Sequence, residues 1–214
     1  MRDGSHEDAP PRERGSEEEG AAPRAEEARP DPLDELARGL RRGDDVVGDW
    51  FARAWPLVHR LCRGFTASGI DADDIAQDAM VHLYDHIQKW DPERSYAAWQ
   101  RAVVLNHCRN QRRAANRRRA HEDAAGVERV SNGPSTPPEA LERSELGELV
   151  DRFLSVLPPR EREAFVLCDL EGMRPVDAAE VMGVADSTVR AALTLGRRRM
   201  KDALQRAFGR GGEA

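Results

Sequence analysis

Cysteine is scarce in this 214-residue chain: Cys62, Cys108 and Cys168 lie far apart and form no CxxC pair. That spacing argues against a disulfide scaffold and a zinc knuckle, and it suits a reducing cytoplasm. Aromatic residues make up only 5% of the chain, so there is little material for a large β-sandwich or barrel. No apolar run approaches the roughly 20 residues that a membrane-spanning helix needs. The N-terminus, MRDGSHEDAPPRERGSEEEG, has no apolar stretch and does not read as a secretory signal. Lysine is nearly missing, with Lys89 and Lys201 the only two among 33 basic residues, a usage that suggests a GC-rich genome. What remains is a charged chain, 34% Asp, Glu, Lys and Arg, of a kind that builds small helical cores.

The net charge of -6 hides blocks of opposite sign. Residues 1–32 carry ten acids and five arginines and contain no aromatic or branched aliphatic residue, so they are expected to be a disordered acidic tail. From Asp71 to Gln88 there are five aspartates and no Lys or Arg; from Arg101 to Arg119 there are seven arginines and no acid. An acidic helix followed by a basic one suggests two different partners. Two solvated faces of a helical bundle would give the same pattern.

Periodicity places the helices. Leu33, Leu36 and Leu40 begin one, with Gly43 as its stop and Asp44 as the next N-cap. Val47, Trp50, Phe51, Ala54, Leu57, Val58 and Leu61 recur at three and four, with Pro56 as a candidate kink. Gly69 closes that segment, and Asp71 to Asp74 offer caps for a helix buried through Ile75, Ala79, Met80, Leu83 and Ile87. Trp90-Asp91-Pro92 makes a turn, and Ser95 caps a helix over 96–119 with Trp99, Val103 and Val104 inward. Residues 121–138 contain SNGPSTPP, have no period and read as a linker.

A second helical set follows. Leu141 to Leu157 forms one helix, stopped by Pro158-Pro159. Residues 160–170 form another, with Ala164, Phe165, Leu167 and Cys168 as its apolar set and Gly172 at its end. The stretch RPVDAAEVMGVADSTVRAALTLGRRRMKDAL then reads as a helix-turn-helix. Ala178, Ala179 and Met182 are inward on its first helix, Gly183 is the turn and Val184 is a plug. Asp186 or Ser187 caps the second helix, on which Val189 and Ala192 face inward. A small Ala179 allows close approach, and Gly183 supplies positive φ.

The order of these parts resembles one family, the bacterial RNA polymerase sigma factors of the extracytoplasmic-function type. GIDADDIAQDAMVHLY with the Trp90–Asn110 segment resembles their conserved region two. LPPREREAFVLCDLEGMRPVDAAEVMGVADSTVR resembles region four. The resemblance implies an all-α fold of two small domains: residues 33–119, then a linker over 120–140, then 141–206, with a short tail at 207–214. It implies a transcription initiation factor that binds core polymerase and directs it to promoters. The acidic helix would dock on the clamp of the largest subunit through Asp71, Asp74, Ile75, Gln77 and Asp78. Region four would also meet the flap. The basic helix would melt and hold the minus-ten element through Trp90, Asn106, Arg109, Asn110, Arg112 and Arg113, which together offer stacking surfaces, amides and cations. The second helix of the helix-turn-helix would contact the minus-thirty-five element through Ser187, Thr188, Arg190, Thr194, Arg197 and Arg198.

There the chain departs from the family, because Ala192 and Leu195 stand where two arginines are usual. Cys168 replaces a common basic residue, and Pro175-Val176 replaces an aromatic-acidic pair. Fewer phosphate contacts predict an unusual upstream motif or weak reliance on it. The resemblance further implies an anti-sigma partner and no cofactor.

Two rival readings belong to other classes. A helix-turn-helix regulator that never joins polymerase explains residues 141–206 but leaves the acidic and basic helices without a role. An enzyme reading rests on His82 and His86, four apart on a helix with Asp78 and Asp85 nearby. It lacks an HExxH motif, a third histidine at a convincing spacing and a Gly-rich phosphate loop. The acidic tail either solubilises the chain or covers the Arg101–Arg119 face.

Overall fold

The computed structural model describes residues 31–66, 72–125 and 141–208, and among them it contains helices and no strand. Helix α1 spans Pro32–Arg42, α2 Val47–Phe65, α3 Ala72–Asp85 and α4 Tyr96–Ala125. After them come α5 over Leu141–Ser155, α6 over Pro159–Phe165, α7 over Pro175–Met182 and α8 over Asp186–Phe208. A short 3-10 turn, Ile87–Lys89, follows α3, and a π-helical turn, Val166–Leu170, extends α6.

Helices α1 to α4 pack around one core. Its largest buried side chains include Trp50, Phe65, Met80, Leu83, Trp90 and Tyr96. Tryptophan and tyrosine can be buried there because their polar tips are satisfied. Trp50 Nε1 donates to the Tyr96 hydroxyl at 2.9 Å, and Trp90 Nε1 donates to the Arg94 carbonyl at 2.9 Å. Cys62 and Cys108 touch across α2 and α4, Sγ to Sγ 3.7 Å, and this contact, followed by burial, pushes the Cys62 thiol well above its usual range. Val103 and Trp99 are only half-buried, while Val104, Leu105 and Cys108 carry the inward stripe of α4.

Several local expectations are corrected. Asp31 and Pro32, placed in the tail, open α1: the Asp31 carboxylate accepts from Leu33 N at 2.9 Å, and Pro32 sits where no N–H is missed. Gly43 stops α1 in the left-handed region, φ 84°, as expected. Asp44 is not the next cap, since its carboxylate accepts from Arg42 and the position before α2 is Val46. Helix α2 runs through Pro56. Ser95 does cap α4, accepting from Ala98 N at 3.3 Å. Helix α4 continues to Ala125, into the segment expected to be linker, and α8 continues to Phe208. Gly69, Asp71, the rest of the linker and nearly all of the acidic tail lie outside the described residues.

In the second set α8 is the hub, packed by α5, α6 and α7. Ala178, Ala179, Met182, Val189 and Ala192 are buried and Val184 is half-buried, as the helix-turn-helix reading requires. Gly183 adopts φ 66°, so the turn does use the left-handed backbone that glycine tolerates. The cap of α8 differs: Ala185 precedes the helix, its carbonyl accepting from Thr188 N and Val189 N, and Asp186 lies inside the first turn. The charged run Glu161-Arg162-Glu163 is buried, whereas Phe165 and Cys168 are half-exposed. Arg162 survives burial because it donates to the Leu154 and Leu157 carbonyls at 2.8 and 2.9 Å, at the C-terminal end of α5 where a cation is favoured.

The two sets also pack on each other, α7 against α4 and α5 and α6 against α2. Gly64 permits this approach, because a Cβ there would sit 2.9 Å from both Val166 methyls.

Candidate nucleic-acid interface

Helix α3 turns its apolar stripe to the core and its carboxylates outward. Asp74, Gln77 and Asp78 are exposed and fall on one face, which Val81 and Tyr84 extend. Ile75 does not belong to that face: at 4% exposure it anchors the stripe from beneath. Asp73, beside it, lies 2.6 Å from His59 Nε2 on α2.

Helix α4 offers alternating amides and guanidinium groups. Asn106, Asn110 and Arg113 are exposed, and Arg113 donates to the Asn110 side-chain oxygen at 3.3 Å. Trp90 is not available for stacking. Only 1% exposed, it meets Tyr96 edge to face at 5.2 Å and anchors the loop before α4. Trp99, expected in the core, packs against it while half-buried, its ring 5.5 Å from that of Tyr96. Trp90 lies in an aperiodic turn, where no helical period applies, so spacing could not say which way its ring would face.

Arg109 and Arg112 are already engaged. Glu163 of α6 receives a fork from Arg109, Nη2 to Oε2 at 2.7 Å and Nε to Oε1 at 3.1 Å. Arg112 lies 3.6 Å from the same carboxylate and Arg160 3.9 Å. The Glu163 side chain is 2% exposed and that of Arg109 13%. Arg109 also donates to the Met182 carbonyl at 3.3 Å, at the negative end of α7. Thus one carboxylate gathers three guanidinium groups, with a two-point fork from Arg109 alone. Arg60 with Glu171 at 3.1 Å and Arg63 with Asp151 at 2.9 Å tie the two sets together farther along α2. Glu163 escaped the sequence reading because a carboxylate between arginines looks like a solvated helix face, and only tertiary packing reveals its burial.

On α8, Ser187, Thr188, Arg190, Thr194, Arg197 and Arg198 are all exposed, as a recognition helix requires. Two of the three arginines have partners: Arg190 donates to Asp186 at 2.8 Å, and Arg197 pairs with Asp169 at 2.6 Å.

The rings of His82 and His86 lie 4.0 Å apart and His107 stands 5.6 Å from His82. Among the described residues, no group of three His, Cys, Asp or Glu is placed to hold a metal ion. Nor is any described helix long and apolar enough to cross a membrane.

With these three surfaces in view, comparison with known proteins is decisive. The Sigma-70 region 2 family matches residues 50–118 and the Sigma-70, region 4, family matches residues 147–200. The chain is a sigma factor. It belongs to the extracytoplasmic-function branch, whose members direct RNA polymerase to promoters. It is 28% identical over 161 residues to the ECF RNA polymerase sigma factor SigE of Mycolicibacterium smegmatis, a match covering 75% of this chain and 61% of that protein. It is 29% identical to the ECF RNA polymerase sigma factor SigM of Mycobacterium tuberculosis, covering 78% and 81%. Among solved structures it superposes on CnrH, in complex with the cytosolic domain of CnrY, with a TM-score of 0.61 at 23% identity, covering 82% and 98% of the two chains. The sigma factor RpoE of Bartonella quintana, in complex with the anti-sigma factor NepR, gives 0.58 at 21%, covering 74% and 96%. This sigma factor therefore carries the acidic stripe and the basic helix within its region 2, and the helix-turn-helix within its region 4.

Proposed function

We propose that this sigma factor docks on the clamp of core RNA polymerase through Asp74, Gln77 and Asp78, and holds the melted minus-ten strand along Asn106, Arg109, Asn110, Arg112 and Arg113. Helix α8 lies in the major groove of the minus-thirty-five element, with region 4 on the polymerase flap. RNA synthesis itself belongs to the polymerase, and the factor works in the cytoplasm. The observation that supports this reading most is the succession in one chain of an exposed carboxylate stripe on α3, an amide and arginine stripe on α4, and a helix-turn-helix on α7 and α8.

The resting contact supplies one requirement. Arg109 meets phosphate only after it leaves Glu163, so region 4 parts from region 2 when the factor engages promoter and polymerase. A regulatory anti-sigma protein fits the same picture, in keeping with the anti-sigma factor NepR named in complex with RpoE.

The test is transcription by core polymerase from a pre-melted promoter bubble, with the intact factor and with Asp74→Ala plus Asp78→Ala. Transcripts that need the factor and fall at least tenfold in the double variant support the docking surface. Binding to promoter duplex with no association with polymerase would instead establish a plain helix-turn-helix regulator.

A further inference from the structure

The face that α8 turns to solvent is short of the groups that read purine edges. Val189, Ala192, Leu193 and Gly196 are buried against the rest of the helical set, and at Gly196 α8 approaches α6 so closely that a Cβ would come within 3.3 Å of the Glu161 carbonyl oxygen. The outward face of its first three turns is thereby fixed as Ser187, Thr188, Arg190, Ala191, Thr194 and Leu195, all exposed. No Asn, Gln or Lys lies there to pair with adenine or guanine. The one guanidinium, on Arg190, is turned back along the helix to Asp186 at 2.8 Å. The Thr194 hydroxyl is likewise directed to its own helix, donating to the Arg190 carbonyl at 2.9 Å, which leaves its methyl as the group to present. Leu195 is 48% exposed, one turn beyond Ala191.

We infer that α8 reads the C5-methyl groups of thymines in the upstream element, with Ala191, Thr194 and Leu195 as the specificity-determining contacts. The inference rests on the proposed placement of α8 in the major groove. Its chemistry is direct: thymine alone among the four bases carries an apolar group on its major-groove edge, and an alanine, a threonine methyl or a leucine is the matching surface. It also accounts for the departure from the family at Leu195, where an apolar side chain stands in place of the usual arginine.

The experiment uses the holoenzyme and a duplex library with a fixed pre-melted downstream bubble and a randomised upstream segment. Selected duplexes are then remade with deoxyuridine for every upstream thymine, which deletes only the methyl groups. Adjacent thymines should be enriched, and each lost methyl should weaken binding about fourfold, the equivalent of one buried methylene. Leu195→Ala lies on an exposed position and should bind the thymine and deoxyuridine duplexes with a smaller difference than the intact factor does.

Equal binding to both duplexes, or enrichment of guanines without thymines, overturns methyl reading while leaving the upstream contact in place. No enrichment at all, with transcription from the bubble retained, overturns upstream reading by α8. Loss of transcription even from the bubble overturns the function proposed above as well.

Discussion

Replacing Glu163 by alanine should release the basic face of α4 without unfolding either set of helices. The carboxylate is 2% exposed and binds the Arg109 fork at 2.7 and 3.1 Å, with Arg112 3.6 Å away. Truncating one partner of a buried pair costs about 3 kcal/mol or more when the other charge stays buried. Here Arg109 can escape that penalty, because its side chain keeps 13% exposure at the seam between the sets and regains water when they part. The cost is therefore expected as a shift of the closed–open balance by about a hundredfold, at 1.4 kcal/mol per factor of ten. Small-angle scattering should show a larger radius of gyration, and a labelled single-stranded oligonucleotide should bind more tightly in the absence of polymerase. Far-UV circular dichroism should stay the same. Gly64→Ala reaches the same end without touching charge, since its Cβ would press to 2.9 Å on both Val166 methyls. If both variants keep the radius and the oligonucleotide affinity of the parent, the Arg109–Glu163 contact is not what closes the molecule.

Stability should also respond to pH and to the turn between α7 and α8. Burial, followed by the neighbouring His86 and Lys89, depresses the His82 pKa, with Asp85 opposing; burial and His82 depress that of His107, with Asp78 opposing. Both imidazoles are thus harder to protonate in the folded chain, so the unfolded chain takes up more protons in the affected range. Unfolding free energy should be flat above the ordinary value of 6.5, fall as pH drops through it, and level off below the folded values. Urea titrations of the parent and His107→Gln check this, and identical pH profiles would refute it. Gly183→Ala forces a side chain into φ 66° and should lower stability by about 1 kcal/mol, seen as a lower urea midpoint at constant slope. An unchanged midpoint would show that the turn relaxes.

Much of this fold was legible in one dimension, because short-range rules decide it. The stop at Gly43, the Ser95 cap and the helix-turn-helix set of Ala179, Gly183 and Val189 follow from backbone preference and the 3.6-residue period. The acidic block set the outward face of α3 for the same reason, while in the basic block Arg113, Arg117 and Arg118 face outward and Arg109 and Arg112 do not. The sequence also carried family membership, since the order of motifs survives even where single residues have changed.

Tertiary structure decided what the local rules leave degenerate. A tryptophan in a turn can face either way, and only packing on Tyr96 put Trp90 inside while Trp99 kept a surface. A glutamate between arginines looks solvated until α4 arrives to bury it against Arg109, and Ile75 reads as part of a contact motif until its burial is seen. Charge and period report which groups a helix carries. Which of them water reaches depends on helices far away in the chain, and at Glu163 and Arg109 that distant packing governs which guanidinium groups of α4 are already paired.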